Sequence, residues 1–308
     1  MQCYRSLDQA ATATPTILTI GKFNGMHLGH HYLLEQVVQR ARAIGGLSMA
    51  LTFEPHPTLV LQPEIERVYL APERERLELM AATGLDRLVI LTYDDALRRL
   101  SAEAFMTQVC RAIHVAELWV GPDFRMGYRA QGTLPVLTAI GERLGFAVHP
   151  VPPLLIDGAP VSATRIRELL HAGRVAEVPR LLGRPFTLEG EVVRGDQRGR
   201  TIGFPTANLA VDRHMVLPAD GVYACMVRLP NGEQQPAVTN VGVRPTFGTL
   251  ARTVEAHLLD WSGELYGQTL RVAFVERIRG EQRFSGIEAL RAQIARDADQ
   301  ARALLRCR

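Results

Sequence analysis

Two histidines, His27 and His30, stand three residues apart behind a pair of glycines in the stretch Thr16-Ile-Leu-Thr-Ile-Gly-Lys-Phe-Asn-Gly-Met-His-Leu-Gly-His-His31. At that spacing both imidazoles can face the same phosphates, hydrogen-bond them and, when charged, stabilise the negative charge that grows as an α-phosphate is attacked. Gly21 and Gly25 let backbone approach a ligand closely, and a helix opening near Leu28 would aim its N–H groups at an anion. Two other readings of the same residues are a surface turn that carries histidines and a transition-metal pair formed by His27 and His31. No Glu lies between those histidines, and no Cys or carboxylate stands at a natural third-ligand spacing.

A second centre of chemistry is Gly195-Asp-Gln-Arg-Gly-Arg-Thr-Ile-Gly-Phe-Pro-Thr-Ala-Asn-Leu209. It lacks the G-K-[ST] ending of a Walker A loop, yet Gly195, Gly199, Arg198 and Arg200 are the ingredients of a phosphate cradle. Thr206 and Asn208 are two apart, so in an extended chain both project to one side. A hydroxyl and an amide oxygen suit Mg²⁺, which takes few protein ligands and completes its shell with phosphate and water. A glycine-rich hairpin with a Pro-terminated strand is the alternative.

These residues need elements to hold them. Apolar runs at Thr16 to Ile20, Leu47 to Phe53, Arg87 to Thr92, Glu117 to Gly121 and Phe146 to Pro150 alternate with helical patterns over Leu28 to Ala43, Pro72 to Thr83, Asp95 to Ile113 and Leu134 to Leu144. That alternation predicts βαβ units and a Rossmann-like parallel sheet, with ligands beyond the carboxyl ends of the strands. After a helix that follows Pro160 and a connector the pattern changes. Phe186 to Arg194, Gly221 to Leu229, Gln235 to Val241, Thr253 to Leu259 and Thr269 to Glu276 read as strands split by turns such as Pro230-Asn-Gly232, which predicts an antiparallel β-barrel. Ile287, Leu290, Ile294, Ala298 and Ala301 recur at helical spacing, so a C-terminal helix is expected to pack on the barrel. The expected division is therefore 1–172, a connector 173–185, and 186–308.

With 308 residues, 47% of them apolar and 22% charged, the chain is long enough for two cores and too apolar for disorder. The formal charge of +3 is spread without a Lys/Arg block, and aromatics are only 6% and dispersed, which argues against a nucleic-acid-binding barrel. Cys3, Cys110, Cys225 and Cys307 form no C-x-x-C, as expected of a cytoplasmic protein, and no apolar run suggests a signal peptide or a membrane span.

The pattern Gly21-x-Phe-x-Gly-x-His-x-Gly-His30, with Leu51-Thr-Phe-Glu-Pro-His-Pro57, Gly121-Pro-Asp-Phe-Arg-Met-Gly127 and Val161-Ser-Ala-Thr-Arg-Ile-Arg167, resembles the FMN adenylyltransferase half of the bacterial bifunctional riboflavin kinase/FAD synthetases. Pro218-Ala-Asp-Gly-Val-Tyr223, Asn240-Val-Gly-Val-Arg-Pro-Thr-Phe247, Val254-Glu-Ala-His-Leu-Leu-Asp260, Leu265-Tyr-Gly267 and Arg283-Phe284 resemble the riboflavin kinase half in the same order. The resemblance implies MgATP held at Pro205-Thr-Ala-Asn208, with Thr206 and Asn208 on the metal and Glu255 as catalytic base. It further implies that Phe23, Asn24, Thr164 and Arg167 join Gly21, Gly25 and the histidines around the nucleotide, and that Asp123 lies at the flavin with the strand-end candidates Phe53 and Phe124. The implied substrates are riboflavin, FMN and ATP, the products FMN and FAD; neither nucleic acid nor membrane is implied as a partner. A kinase whose first domain has become a flavin-binding or regulatory module is the rival. Three positions depart from the family pattern: Asn24 stands where Asp is usual, Ala163 where Ser is usual, and Pro160 in place of an Arg.

Overall fold

The computed structural model describes residues 1–195, 199, 202–246 and 249–306. By packing, the chain divides into one unit of Met1–Val68 and Glu73–Ser162 and a second of Tyr69–Pro72 and Ala163–Arg308.

The first unit is built on six parallel strands, β1 (Gln2–Tyr4), β2 (Thr12–Ile20), β3 (Leu47–Glu54), β4 (Arg87–Thr92), β5 (Ile113–Val120) and β6 (Ala147–Pro150), in the order β1-β4-β3-β2-β5-β6. The chain moves outward from β2 through β3 to β4, then returns to lay β5 on the other side of β2. The strand order thus reverses between β2 and β5, and in open α/β sheets ligands bind beyond the carboxyl ends of the strands at such a point. Alternate residues of β3 face opposite ways: Met49 and Leu51 join a core with Leu18, Val89 and Leu118, whereas Ala50 joins one with Phe23, Leu34 and Leu88. Helix α1 (Leu28–Ala43) buries Leu34, Val37, Val38 and Ala41, and it ends where Gly45 takes the left-handed conformation.

Two elements differ from expectation. The helical run Asp95 to Ile113 is two helices, Asp95–Arg98 and Ala102–Ala112, because Ser101 starts the second by accepting a hydrogen bond at Oγ from the Ala104 N–H, 3.1 Å away. Strand β1 has no counterpart among the predicted strands. Three edge residues, only Tyr4 half-buried, are too few to show a period. A hairpin of β7 (Leu155–Ile156) and β8 (Ala159–Pro160) closes the unit, turned by Asp157 and Gly158, both at positive φ.

The second unit contains the barrel. Its strands are β9 (Phe186–Val193), β10 (Ala207–Val211), β11 (Gly221–Arg228), β12 (Gln234–Thr246), β13 (Thr249–Leu258) and β14 (Thr269–Arg279). The order β10-β13-β12-β11-β14-β9 closes through antiparallel pairing of β9 with β10, so no edge is left. Helix Ala163–His171 packs with this unit: the Leu170 carbonyl accepts from the Ala219 N–H at 2.8 Å, and Gly173 leaves room for the Arg277 side chain.

The C-terminal helix Ile287–Leu305 lies on the barrel through Ala298, Ala301 and Leu305, against Val222, Ala224 and Val275. Ile287, expected on that face, is 64% exposed, Leu290 and Ile294 are half-buried, and full burial is confined to the second half of the helix. There Asp297, 2% exposed, takes three hydrogen bonds of 2.8–3.1 Å from the Arg279 guanidinium and one from Gln293. Asp297→Ala leaves the largely buried Arg279 uncompensated and is expected to destabilise the barrel by about 3–5 kcal/mol. Denaturant unfolding followed on the second unit measures this, and a loss below about 1 kcal/mol would show the pair to be solvated.

Candidate active sites

At the end of β2 the backbone turns through left-handed Phe23, Gly25 and Met26 before His27 starts α1. His27 Nδ1 accepts from the His30 backbone N–H at 3.3 Å, so the neutral ring carries its proton on Nε2. The two imidazoles are stacked, 3.7 Å between centroids and 16° from coplanar, and Phe23 meets His30 edge-on at 5.3 Å. Burial, reinforced by His27 and His31, holds the His30 pKa well below the ordinary imidazole value. Its Nδ1 is buried without a hydrogen-bond partner. An orphaned acceptor costs less than an orphaned N–H, which assigns the proton of His30 to Nε2 as well. The pair thus offers two Nε2–H donors to an arriving anion, and a phosphate beside His30 would favour its charged form. Gly29 packs closely behind them: a Cβ there would lie 3.2 Å from both His27 Nδ1 and the Val161 carbonyl.

The structure shows what two other predicted residues touch. Phe23 is 1% exposed and belongs to the core, where it braces His30. Asn24 is 3% exposed, and its Nδ2 donates to the Val68 carbonyl at 2.8 Å. Gly21 sits under the Phe23 ring, where a Cβ would come within 3.0 Å, and Gly25 takes φ 76°.

Phe53 lies at the carboxyl end of β3 and Phe124 follows that of β5, and both pack, half-buried, on the same core; Phe53 also meets Tyr93 edge-on at 5.6 Å. Asp123 is exposed beside Phe124. That core lies on the face of the sheet opposite the one holding Phe23. Thr164 and Arg167 sit one turn apart on helix Ala163–His171 in the second unit, Thr164 exposed and Arg167 partly buried, its pKa lowered by desolvation.

On the barrel, register makes the site. Asn208 of β10 lies directly across from Glu255 of β13, and Glu255 lies across from Asn240 of β12, so the three form one row. Val254, Ala256 and Leu258 are buried in the barrel, as are Ala207 and Leu209, while Thr206, Asn208, Glu255 and His257 face outward, half-buried. The Thr253 hydroxyl donates to Glu255 Oε1 at 3.4 Å, and His257 Nδ1–H donates to the Pro205 carbonyl at 2.8 Å, tying β13 to Pro205-Thr-Ala-Asn208. Gly195 packs on the Asn208 amide, and a Cβ there would be 2.5 Å from Nδ2; a Cβ on Gly199 would strike the Phe204 carbonyl. Arg198 and Arg200 lie outside the described residues. A cleft of about 320 Å³ opens beside Thr206, floored by Ala256 and Leu258 and walled by Trp261 and Tyr266.

Sequence reasoning passed over Asn240, which only the β12–β13 register brings to the site, and Trp261, which carries no spacing signal. It also passed over Lys22, where a signal existed: this is the single lysine among 35 Lys and Arg residues, and it stands in the phosphate turn.

The family model described as FAD synthetase matches residues 9–165, and that described as Riboflavin kinase matches residues 182–305. The bifunctional riboflavin kinase/FMN adenylyltransferase of Escherichia coli (strain K12) is 37% identical over 287 residues, covering 93% of this chain and 91% of that protein. Its counterpart in Pseudomonas fluorescens is 39% identical over 294 residues, covering 94% and 92%. A crystal structure described as a macrolide-efflux protein from Streptococcus pneumoniae matches with a TM-score of 0.87 at 29% identity, over 98% of this chain and 99% of that one. Among the described residues here, no helix is long and apolar enough to cross a membrane. With both family models matched in order and identity of this level over nearly the whole length, the chain belongs to the bifunctional riboflavin kinase/FMN adenylyltransferase family.

Proposed function

We propose that this chain makes FAD from riboflavin in two steps, with Glu255 serving the first and the His27–His30 pair the second. The observation that carries the reading is the row Asn208–Glu255–Asn240, which sets a carboxylate between two amides on the outer face of a closed barrel. In the kinase step the terminal ribityl hydroxyl of riboflavin gives its proton to Glu255 while its oxygen attacks the γ-phosphorus of ATP; ADP leaves and FMN remains. Thr206 Oγ1 and Asn208 Oδ1 are hard oxygen donors on one face and fit Mg²⁺, which when bound neutralises phosphate charge.

In the second step a phosphate oxygen of FMN attacks the α-phosphorus of ATP and pyrophosphate leaves. His27 and His30 donate from Nε2 to the phosphate oxygens as charge builds. Phe53 and Phe124 contact the isoalloxazine from the other face of the sheet edge, with Asp123 beside them. We assign residues 1–172 to adenylyl transfer, 173–185 to the connector and 186–308 to the kinase. ATP as co-substrate and the free thiols Cys3, Cys110 and Cys225 fit the cytoplasm. The kinase-only rival would be favoured by loss of the histidine pair, and both histidines are present and stacked.

Incubating the protein with riboflavin, ATP and Mg²⁺ and separating the flavins by chromatography tests the reading: FMN and FAD are both expected, and FMN alone would favour the rival. A fragment of residues 163–308, which keeps the helix that packs with the barrel, is expected to melt cooperatively and to make FMN but no FAD. A folded fragment that makes no FMN would overturn the assignment of the kinase to the barrel.

A further inference from the structure

The turn between β2 and α1 holds strained backbone. Phe23 and Met26, both non-glycine residues, have φ of 42° and 43° around Gly25 at 76°. Such conformations persist only where their surroundings hold them. Burial of the Phe23 and Met26 side chains is one restraint. Another is a pair of hydrogen bonds that tie neighbouring parts of the turn to β3 and to the far end of the excursion that follows it, the residues between β3 and Tyr69. The Lys22 carbonyl accepts from Thr52 Oγ1 at 3.4 Å, within β3 just before the excursion leaves it, and Asn24 Nδ2 donates to the Val68 carbonyl at 2.8 Å, at the excursion's far end. The excursion begins beside Phe53 and contains Pro55-His-Pro57, while the turn delivers His27 and His30. An aspartate, the usual residue of the motif, has no proton to donate to a carbonyl at neutral pH, so this tie depends on the asparagine.

We propose that Asn24 is a positioning residue for adenylyl transfer: by holding Val68, it fixes the flavin-side excursion to the phosphate turn so that FMN and ATP meet in register. This rests on the assignment of adenylyl transfer to the histidine site. The motif alone suggests that Asn24→Asp restores a preferred residue. The geometry requires the opposite, because the ionised carboxylate of that variant would face the Val68 carbonyl in a buried place. Burial raises the pKa of such a carboxyl, and once protonated its O–H can replace the amide N–H.

The groups that titrate around it are His27, His30 and His31 on α1, Lys22 in the turn, Glu66 and Arg67 next to Val68, and Glu75, Arg76 and its partner Glu54 on the side of helix Glu73–Ala82, which packs on the turn. All of them are present in wild type too, so the variant-to-wild-type ratio isolates the introduced carboxyl. In the full chain, Asn24→Asp is expected to lower kcat/KM for FMN at least about tenfold at about pH 8 and to recover to within about threefold of wild type at about pH 6. Riboflavin phosphorylation by the same molecules should match wild type at both pH values. Asn24→Ala should show the loss without the recovery, and it decides the question if the aspartate variant fails to fold. Asn24→Asp equal to wild type at the higher pH, a loss that is the same at both pH values, or a fully active Asn24→Ala each overturns the proposal. A wild type that forms no FAD overturns the underlying assignment instead.

Discussion

Glu255→Gln is expected to lower the riboflavin kinase kcat at least about a hundredfold, the scale of losing a general base, while FAD formation from supplied FMN stays at the wild-type rate. Glutamine keeps the shape of the side chain and can still meet the Thr253 hydroxyl, so the row with Asn208 and Asn240 survives. What is lost is the ability to take the proton from the hydroxyl as its oxygen attacks. KM for ATP should therefore change little, because Thr206, Asn208 and the glycine loop remain. Steady-state kinetics with each substrate varied separate the two effects. A near-normal kcat would make Glu255 a structural residue of the barrel face.

His30→Ala should cost adenylyl transfer at least about a hundredfold, the loss seen when a donor to a developing oxyanion is removed, with the kinase untouched. The ring is stacked on His27 and braced by Phe23, so its Nε2–H is held in place before substrate arrives. Its depressed pKa adds a signature in pH. In the free protein the folded state resists protonating this ring while the unfolded state, with its imidazole near 6.5, accepts the proton. Stability from this group is therefore complete above about pH 6.5 and is lost as pH falls toward the folded-state pKa. An ATP phosphate beside the ring raises its pKa again, so nucleotide binding takes up protons in the same window and tightens as pH falls. Calorimetric titration in buffers of different ionisation enthalpy measures the uptake, and His30→Ala should abolish most of it. If the variant keeps wild-type FAD synthesis, the histidine pair is not the phosphate donor.

Some residues were legible from spacing and some were not. His27 and His30 stand at a three-residue interval on a helix start, and their rings are stacked. Phe23 and Asn24 occupy motif positions that suggest ligand contact, yet one packs in the core and the other ties a backbone carbonyl 44 residues away. No local pattern reports such a partner. The break at Ser101 was readable in principle from its capping chemistry, but the apolar period of Asp95 to Ile113 runs through it. Ile287 has the right spacing for its helix and still lies in solvent, because amphipathic period says which face is apolar and not how far the barrel extends beneath it.

The amino-acid sequence by itself determined the types of element, their sequence along the chain, the two clusters of chemistry-bearing residues and the side of β13 on which Glu255 projects, since periods of 3.6 and 2 are local properties of the backbone. Only the tertiary structure decided that β5 returns beside β2 and reverses the strand order, that the barrel closes through β9 and β10, and that Asn208, Glu255 and Asn240 share one row. Those outcomes depend on register between strands far apart in the chain. Register is set by the summed burial of whole strand faces and by complete pairing of backbone N–H and C=O groups, and a slip of one residue would turn Glu255 into the barrel and Val254 out to solvent.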